Sequence, residues 1–336
     1  MLASPWFSGP TETVTQLALA QREQGHQVAV AIDRRCTTKT SEELAAPRLE
    51  ALGLLDGHGL ELSVKSSLRG MLGDLRRLRA LEVDVVHCHM SHDHFLARLG
   101  CPKGARLVRS VHAPRSLRWS TPRADGWTVP VDALARRLLG ARVMVLPPMV
   151  DGAFVPPNDR AACQRSLGLP SGPLVGMVST FQASRRHDVA LQAFARVRGR
   201  APEARLVLVG DGHEERAVRA QAAAMGLGEL VHFAGYQSGA RFIDFLQALD
   251  EVWILGLGND FSGRAAAQAR ACGVRVVAVD EGALARYADV VVPCEAQAVA
   301  EAALRANRRT VVLESPGSVA RRVVELYQRA PILGPG

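Results

Sequence analysis

The sequence predicts an α/β protein made of two doubly wound domains, each a parallel sheet with helices on both faces. Three observations carry that expectation. Short β-branched runs alternate with longer stretches in which apolar residues recur every three or four positions. The β-branched runs are almost wholly apolar, as strands buried on both faces must be. The rhythm breaks once near the middle, at PPMVDGAFVPP (147–157), which reads as a hinge. At 336 residues, each half is long enough to bury its own core.

The elements follow in order. The chain opens on a loop, PWFSGPTE, where a doubly wound domain should supply a strand, so that strand is either MLAS alone or lies upstream. Residues 12–25 read as a helix, QVAVAI (27–32) as a strand, 66–81 as a helix and VDVVHC (83–88) as a strand. RLVRSVH (106–112) is a strand, 131–140 a helix and VMVLPP (143–148) a strand. The stretch between His112 and Gly126 is short and irregular, so the N-terminal domain, 1–147, is expected to be pared down. Beyond the hinge, 148–157, the second domain spans 158–315. Its strands are 173–179, 204–210, 230–235, 251–256, 274–280 and 289–293. Its helices are 186–200, 213–226, 239–249, 263–271 and 295–307. An amphipathic helix at 316–328 and a fraying tail end the chain.

Composition excludes several classes. The six cysteines are scattered with no C-x-x-C pair, against a disulfide scaffold or a zinc ribbon and in favour of a reducing cytoplasm. No apolar run approaches the ~18 residues that span a bilayer, and MLASPWFSGP lacks the pattern of a signal peptide. The net charge of +8 is uneven: residues 101–150 hold nine Lys and Arg residues, from Lys103 to Arg142, against Asp125 and Asp132. Such a stretch fits an anionic partner or a solvated, Arg-rich surface equally well. No aromatic platform is interleaved with it, which disfavours nucleic acid.

Ligands of doubly wound folds bind at the carboxyl ends of the strands. There, Asp260-Phe-Ser262-Gly263 leaves strand 251–256 and enters a helix carrying Gln268. Gly263 permits close backbone approach, and unpaired N–H groups at a helix start suit a diphosphate. Asp260 and Gln268 flank that start and are able to bond sugar or ribose hydroxyls. An ordinary capped helix has the same appearance. After strand 173–179 comes a loop with Arg185 and Arg186, readable as a phosphate clamp or as a basic first turn. The helix dipole disfavours cations there, so an anionic compensator is expected. Gly210-Asp-Gly212 reads as a structural turn. His87, His89, His92, Asp93 and His94 fall within eight positions, but they match no metal-ligand spacing, and no metal is assigned. His112, at the end of strand 106–112, is placed to orient an acceptor hydroxyl or hold developing charge. Gly9 lies in the first loop, where a side chain would block a phosphate.

These pieces together resemble the family-4 group of retaining GT-B glycosyltransferases, from about Ser8 to Val324. SGPTETVTQLALAQREQGHQVAV is similar to that family's glycine loop, helix and "GHxV" strand, and VDVVHCHMSHDHFLARL to its "DVVHxH" segment. LPPMVDGAFVPP resembles the linker, and VLVGDGHEERAVRAQAAAMGLGELVHFAGY the "GxGP…VxFxG" run. NDFSGRAAAQARACGVRVVAVDEGAL resembles the "EpFGxxxxEAxAxGxPVVA" signature. The resemblance implies two Rossmann-like domains facing a cleft and a cytoplasmic enzyme of cell-surface polysaccharide synthesis. The donor would be a UDP- or GDP-linked sugar, with no other cofactor and no required metal. The acceptor would be a glycan, lipid-linked or small molecule, with peripheral association at the anionic inner face of a membrane. It implies that the diphosphate meets Gly9, Arg185, Ser262 and the amides near Gly263, and that the base packs near Gly235 and Tyr236. Asp260 would touch the donor sugar, Gln268 the ribose, and His112 the anomeric centre and acceptor.

The sequence departs from the family pattern at several of these places. Gln268 replaces the second of two carboxylates eight positions apart, Arg185 replaces a lysine, and Thr180 replaces an arginine. Pro10 stands for a second loop glycine and Arg286 for a glutamate. The Gln268 change removes about 1–3 kcal/mol of ribose bonding. These changes open a second reading, a catalytically impaired relative that acts as a binding or partner subunit.

Overall fold

A computed structural model describes residues 1–34, 43–138, 140–258 and 261–329. The chain divides into two compact units. Residues 1–149 and the chain from 314 onward form the first, and residues 150–313 the second.

The first unit runs through α1 (Gly9–Glu23), α2 (Ala45–Ala51), α3 (Leu68–Arg79), β1 (Val85–Cys88), α4 (Ser91–Gly100), β2 (Arg106–Ser110), β3 (Gly126–Val129), α5 (Asp132–Ala135) and β4 (Val143–Val145). The four strands form a parallel sheet in that order, with His87 opposite Val108 and Arg109 opposite Trp127. Helix α1 starts earlier than expected, at Gly9, because Pro10 fits a first turn, where no N–H is needed. Gly9 is therefore the first residue of a helix and not part of a loop. The run 27–32 does not make a continuous strand. Val30 bridges Leu55 while Ile32 bridges Leu2, so successive inward residues meet different partners and no ladder forms. Strand β2 stops at Ser110, which leaves His112 two residues beyond it. The expected helix 131–140 is a single turn, Asp132–Ala135. Strand β3, buried at all four positions, was absent from the sequence reading. Its GWTV is too short to show a period.

The second unit begins with α6 (Arg160–Ser166) and β5 (Leu174–Val178), then α7 (His187–Val197), β6 (Arg205–Val209), α8 (Glu215–Ala224) and β7 (Val231–Gly235). It continues with α9 (Gly239–Ala248), β8 (Glu251–Ile254), α10 (Arg264–Ala271), β9 (Arg275–Ala278), α11 (Leu284–Tyr287), β10 (Val290–Val291) and α12 (Ala296–Ala302). All its pairings are parallel, in the order β10-β9-β8-β5-β6-β7. Trp253, Phe181, Phe194 and Phe245 fill the core. Within it Glu251 and Arg275, both buried, form an ion pair. Trp253 Nε1 donates to Glu251 at 2.6 Å, and Arg275 binds the Asn307 side chain at 2.8 Å.

The last helix, α13 (Pro316–Arg329), returns to the first unit, where the sequence suggested a separate appendage. Its Val319, Ala320 and Val323 pack with Leu17 and Ala20 of α1 and with Leu146. Gln24 Nε2 donates to the Gly317 carbonyl at 2.9 Å. No helix among the described residues is long and apolar enough to cross a membrane.

Candidate active site

The strand order of the second unit locates a crevice. From β5 the chain steps outward through β6 and β7, then crosses back to β8 on the other side of β5 and steps away through β9 and β10. The connections leaving β5 and β8 thus diverge, and the carboxyl ends of these two neighbours form the switch point where open α/β sheets take ligands.

Both diverging loops carry predicted residues. After β5, Arg185 ends a short 3-10 turn (Ala183–Arg185). The Leu257 amide donates to the Ser184 carbonyl at 3.1 Å, which ties this turn to the loop after β8. A methyl group at Gly256 would stand 3.0 Å from Arg185 Cδ, so Gly256 lets the arginine lie against that loop. Arg186 does something else. It sits in left-handed conformation at the N-cap of α7 and grips Asp188 through two bonds of 3.1 Å. The anionic compensator expected for this pair of arginines is Asp188 for Arg186, while Arg185 is the one that lies against the β8 loop.

After β8, Gly263 takes φ +69° as the N-cap of α10. A side chain there would meet Tyr287 Cδ2 at 2.9 Å and the Ala283 backbone at 3.1 Å, so only glycine fits this turn. Ser262 Oγ accepts from the Arg264 amide at 3.3 Å. Gln268 is buried on α10. Asp260 lies outside the described residues. At the end of β7, Gly235 accepts from the Gly210 amide at 2.9 Å, and Tyr236 beside it is half exposed. Gly210 itself passes against Ser179, where a Cβ would fall 2.0 Å from the carbonyl. The turn read as structural closes the β5 loop from the β6 side.

Sequence reasoning missed Phe181 and His187. Their rings stack at 4.4 Å, and burial pushes the His187 imidazole down to about 4. The stack fixes the loop carrying Arg185 to the start of α7. A cavity of about 430 Å³ near Arg160 and Asp250 opens at the other edge of the same sheet, before β5 and β8. Its arginine already bonds the Gln247 carbonyl at 2.8 Å and faces Asp250 at 3.6 Å. The strand-end crevice is the better ligand site on chemical grounds.

In the first unit, Gly9 opens α1 and His112 follows β2. His112 Nε2 lies 3.2 Å from His89 Nδ1, and His89 stacks on His87 with centroids 4.4 Å apart. Burial holds His112 at about 4 and both others well below the ordinary imidazole range, so all three are neutral at pH 7. Asp93 receives the amides of His89, Met90 and His94 at 3.0, 2.8 and 3.0 Å, which makes it the cap of α4. Buried Arg109 faces it at 3.7 Å. The histidines clustered in sequence are thus hydrogen-bonding and packing groups. Among the described residues, no set of three or more His, Cys, Asp and Glu side chains is placed to hold a metal ion.

Comparison with known proteins fits both units. Residues 7–153 match the family described as Glycosyltransferase Family 4, and residues 159–304 the family described as Glycosyl transferases group 1. A D-inositol 3-phosphate glycosyltransferase of Stackebrandtia nassauensis is 35% identical over 153 residues, covering 43% of this chain and 34% of that protein. The protein of the same name from Actinosynnema mirum is 32% identical over 177 residues, covering 48% and 42%. The chain therefore spans well under half the length of these relatives. Among solved structures, Anabaena HepE in complex with UDP and glucose superposes with a TM-score of 0.72 at 17% identity, over 98% of this chain and 96% of that one. A Rickettsia africae glycosyltransferase superposes with a TM-score of 0.70 at 15% identity, over 99% and 93%. At these identities the likeness speaks for the fold.

Proposed function

The chain belongs to the family-4 type of GT-B glycosyltransferases, and from that premise we propose that it moves a sugar from a nucleoside-diphosphate donor to a glycan, lipid-linked or small-molecule acceptor. The reaction retains configuration at the anomeric carbon and requires neither a metal nor another cofactor. The observation that carries this reading is the switch-point crevice of the second unit, where Arg185 lies against the loop that leads to Gly263 and α10. A UDP- or GDP-linked donor suits it. Arginine's fork bonds phosphate oxygens in pairs, and the α10 start adds the positive end of a helix dipole.

The residues divide the work by their chemistry. Arg185 and the amides at Ser262 and Gly263 hold the diphosphate. As the bond from the anomeric carbon to the diphosphate oxygen breaks, negative charge grows there. Fixed donors stabilise it without reorganising. Gln268 takes ribose hydroxyls, Asp260 the donor sugar, and Gly235 with Tyr236 the base. His112, neutral above about pH 4, orients the acceptor hydroxyl. The acceptor's proton leaves with the departing phosphate as the new glycosidic bond forms on the same face. Trp119, fully exposed next to Arg118, supports a resting place on anionic lipid, from which a lipid-linked acceptor would be reached.

The test is thermal unfolding with UDP, GDP, ADP, CMP and dTDP added separately. A nucleotide at 100 times its Kd raises stability by about 2.7 kcal/mol. Arg185→Ala should abolish the shift, and His112→Ala should keep it while slowing transfer. A protein that unfolds at the same temperature with every nucleotide, and transfers nothing, would refute this reading and favour the impaired relative.

A further inference from the structure

The histidine cluster of the first unit has an order that the reaction has not yet used. Three rings stand in a row: His87 on His89 at 4.4 Å and 29°, then His89 on His112 at 5.4 Å and 25°. The far end is braced by α13, where Tyr327 Oη lies 2.7 Å from His87 Nδ1. His87 Nε2 lies 2.8 Å from Ser110 Oγ, and Ser110 Oγ lies 2.6 Å from Thr128 Oγ1.

The hydrogens of this chain can be assigned from the donor inventory. Gln21 Nε2 is a donor, and it meets Tyr327 Oη at 3.3 Å. The tyrosine hydroxyl then gives its own hydrogen to His87 Nδ1. A neutral His87 carries its hydrogen on Nε2 and donates to Ser110, which donates to Thr128. His87 thus has one tautomer and one ring orientation. The backbone of His89 is fixed too, since its amide donates to Asp93 at 3.0 Å. Each of these groups is part-buried or buried, so the row is held by bonds and packing rather than by solvent.

We propose that His89 is a positioning residue for His112: by engaging Nε2 it fixes the ring, so that His112 meets the acceptor through Nδ1, with Tyr327 bracing the row from α13. The inference rests on the transferase reading above. An unrestrained neutral imidazole divides its time between two tautomers and rotates about χ2. A bond at one nitrogen removes the rotation, and the other nitrogen becomes the working atom. The charged and titratable groups around the row are Arg109 with its partner Asp93, the Met1 ammonium, which donates to the His87 carbonyl at 2.6 Å, and Tyr327, with the three histidines themselves. Desolvation first, then the Arg109 charge, keeps His112 unprotonated.

The test uses the whole chain and three substitutions at one site. Asn places an amide near the position of Nδ1, Gln places it near Nε2, and Leu removes it. Transfer to water from a UDP- or GDP-sugar gives an activity that needs no identified acceptor. His89→Leu and His89→Gln are expected to lower kcat at least tenfold with donor KM changed less than twofold. His89→Asn is expected to restore kcat. Ring nitrogen NMR gives an arm independent of activity: a hydrogen-bonded His112 Nε2 signal in the wild type and in His89→Asn, lost in His89→Gln. An unchanged kcat in a folded His89→Gln variant, or a kcat that His89→Asn fails to restore, overturns the proposal. Should the wild type bind no nucleotide and transfer nothing, the transferase reading fails, while the NMR arm still decides whether His89 holds His112 through Nε2.

Discussion

Acid should unfold the first unit before the second. Four histidines of the first unit, His89 and His94 buried and His87 and His112 half-buried, are held below the ordinary value by desolvation, His94 to about 3 and His112 to about 4. The second unit has one comparable ring, His187, at about 4, and His232 lowered by less complete burial. In the unfolded chain each imidazole takes up its proton near pH 6.5. Below that pH the unfolded state binds more protons than the native one, so the stability present above 6.5 is lost as pH falls toward the native values. Once the unfolded imidazole is protonated, each ring contributes a slope of about 1.4 kcal/mol per pH unit. Four rings together approach ~5 kcal/mol per unit, against a total of about 5–15 kcal/mol for a domain. His187 alone gives the second unit roughly a quarter of that slope. Denaturant titrations at pH 7.5, 6.5 and 5.5 avoid most carboxylate titration. Trp253 is the tryptophan of the second unit, while Trp6, Trp119 and Trp127 lie in the first. Trp253→Phe therefore reports the first unit alone, and a variant keeping only Trp253 reports the second. A first-unit midpoint that does not move between pH 7.5 and 5.5, or a second unit that fails first, would refute the argument that these rings are buried as neutral groups.

Two further outcomes follow from single contacts. Arg275→Met leaves the buried Glu251 carboxylate without its cation and should destabilise the second unit by about 3–5 kcal/mol. That is a midpoint drop of roughly 10 °C, read by calorimetry, and a loss below 1 kcal/mol would mean that Glu251 is protonated in the native state. Trp119→Ala should weaken sedimentation with vesicles containing phosphatidylserine while nucleotide-induced thermal shifts stay as they are. Equal binding to neutral vesicles would argue against an electrostatic surface.

Much of the fold was legible because parallel strands announce themselves. After their first arginine, RLVLV in β6 and RVVA in β9 are apolar on both faces, and glycine turns bound most of the helices that follow. What was illegible has physical causes. GWTV of β3 is four residues long, so periodicity has nothing to act on. The helix of 316–328 was visible as amphipathic, but its partner was not. Nothing local says that Val319 and Val323 cover Leu17, some three hundred residues earlier in the chain. In the run 27–32 the alternation was real, yet each inward residue found a different partner. A pattern of faces does not specify a ladder.

The site divides along the same line. Glycines were readable because their need is local: Gly263 turns with positive φ wherever its helix happens to lie. Charges were not, because a sequence shows a cation without its counter-ion. Arg185 and Arg186 are adjacent and equivalent on paper. Two residues onward, Asp188 takes Arg186 in a paired grip and removes it from any phosphate. Gly256, which looks like any loop glycine, lets Arg185 lie against the β8 loop. The same holds for the histidines. The alternation of β1 puts His87 and His89 on one face, but His112 enters the row only because β2 pairs in register beside β1. Composition supplies the candidate groups, and the order of strands decides which of them meet. In the second unit that order, with β8 returning beside β5, is what makes two unremarkable loops into a crevice.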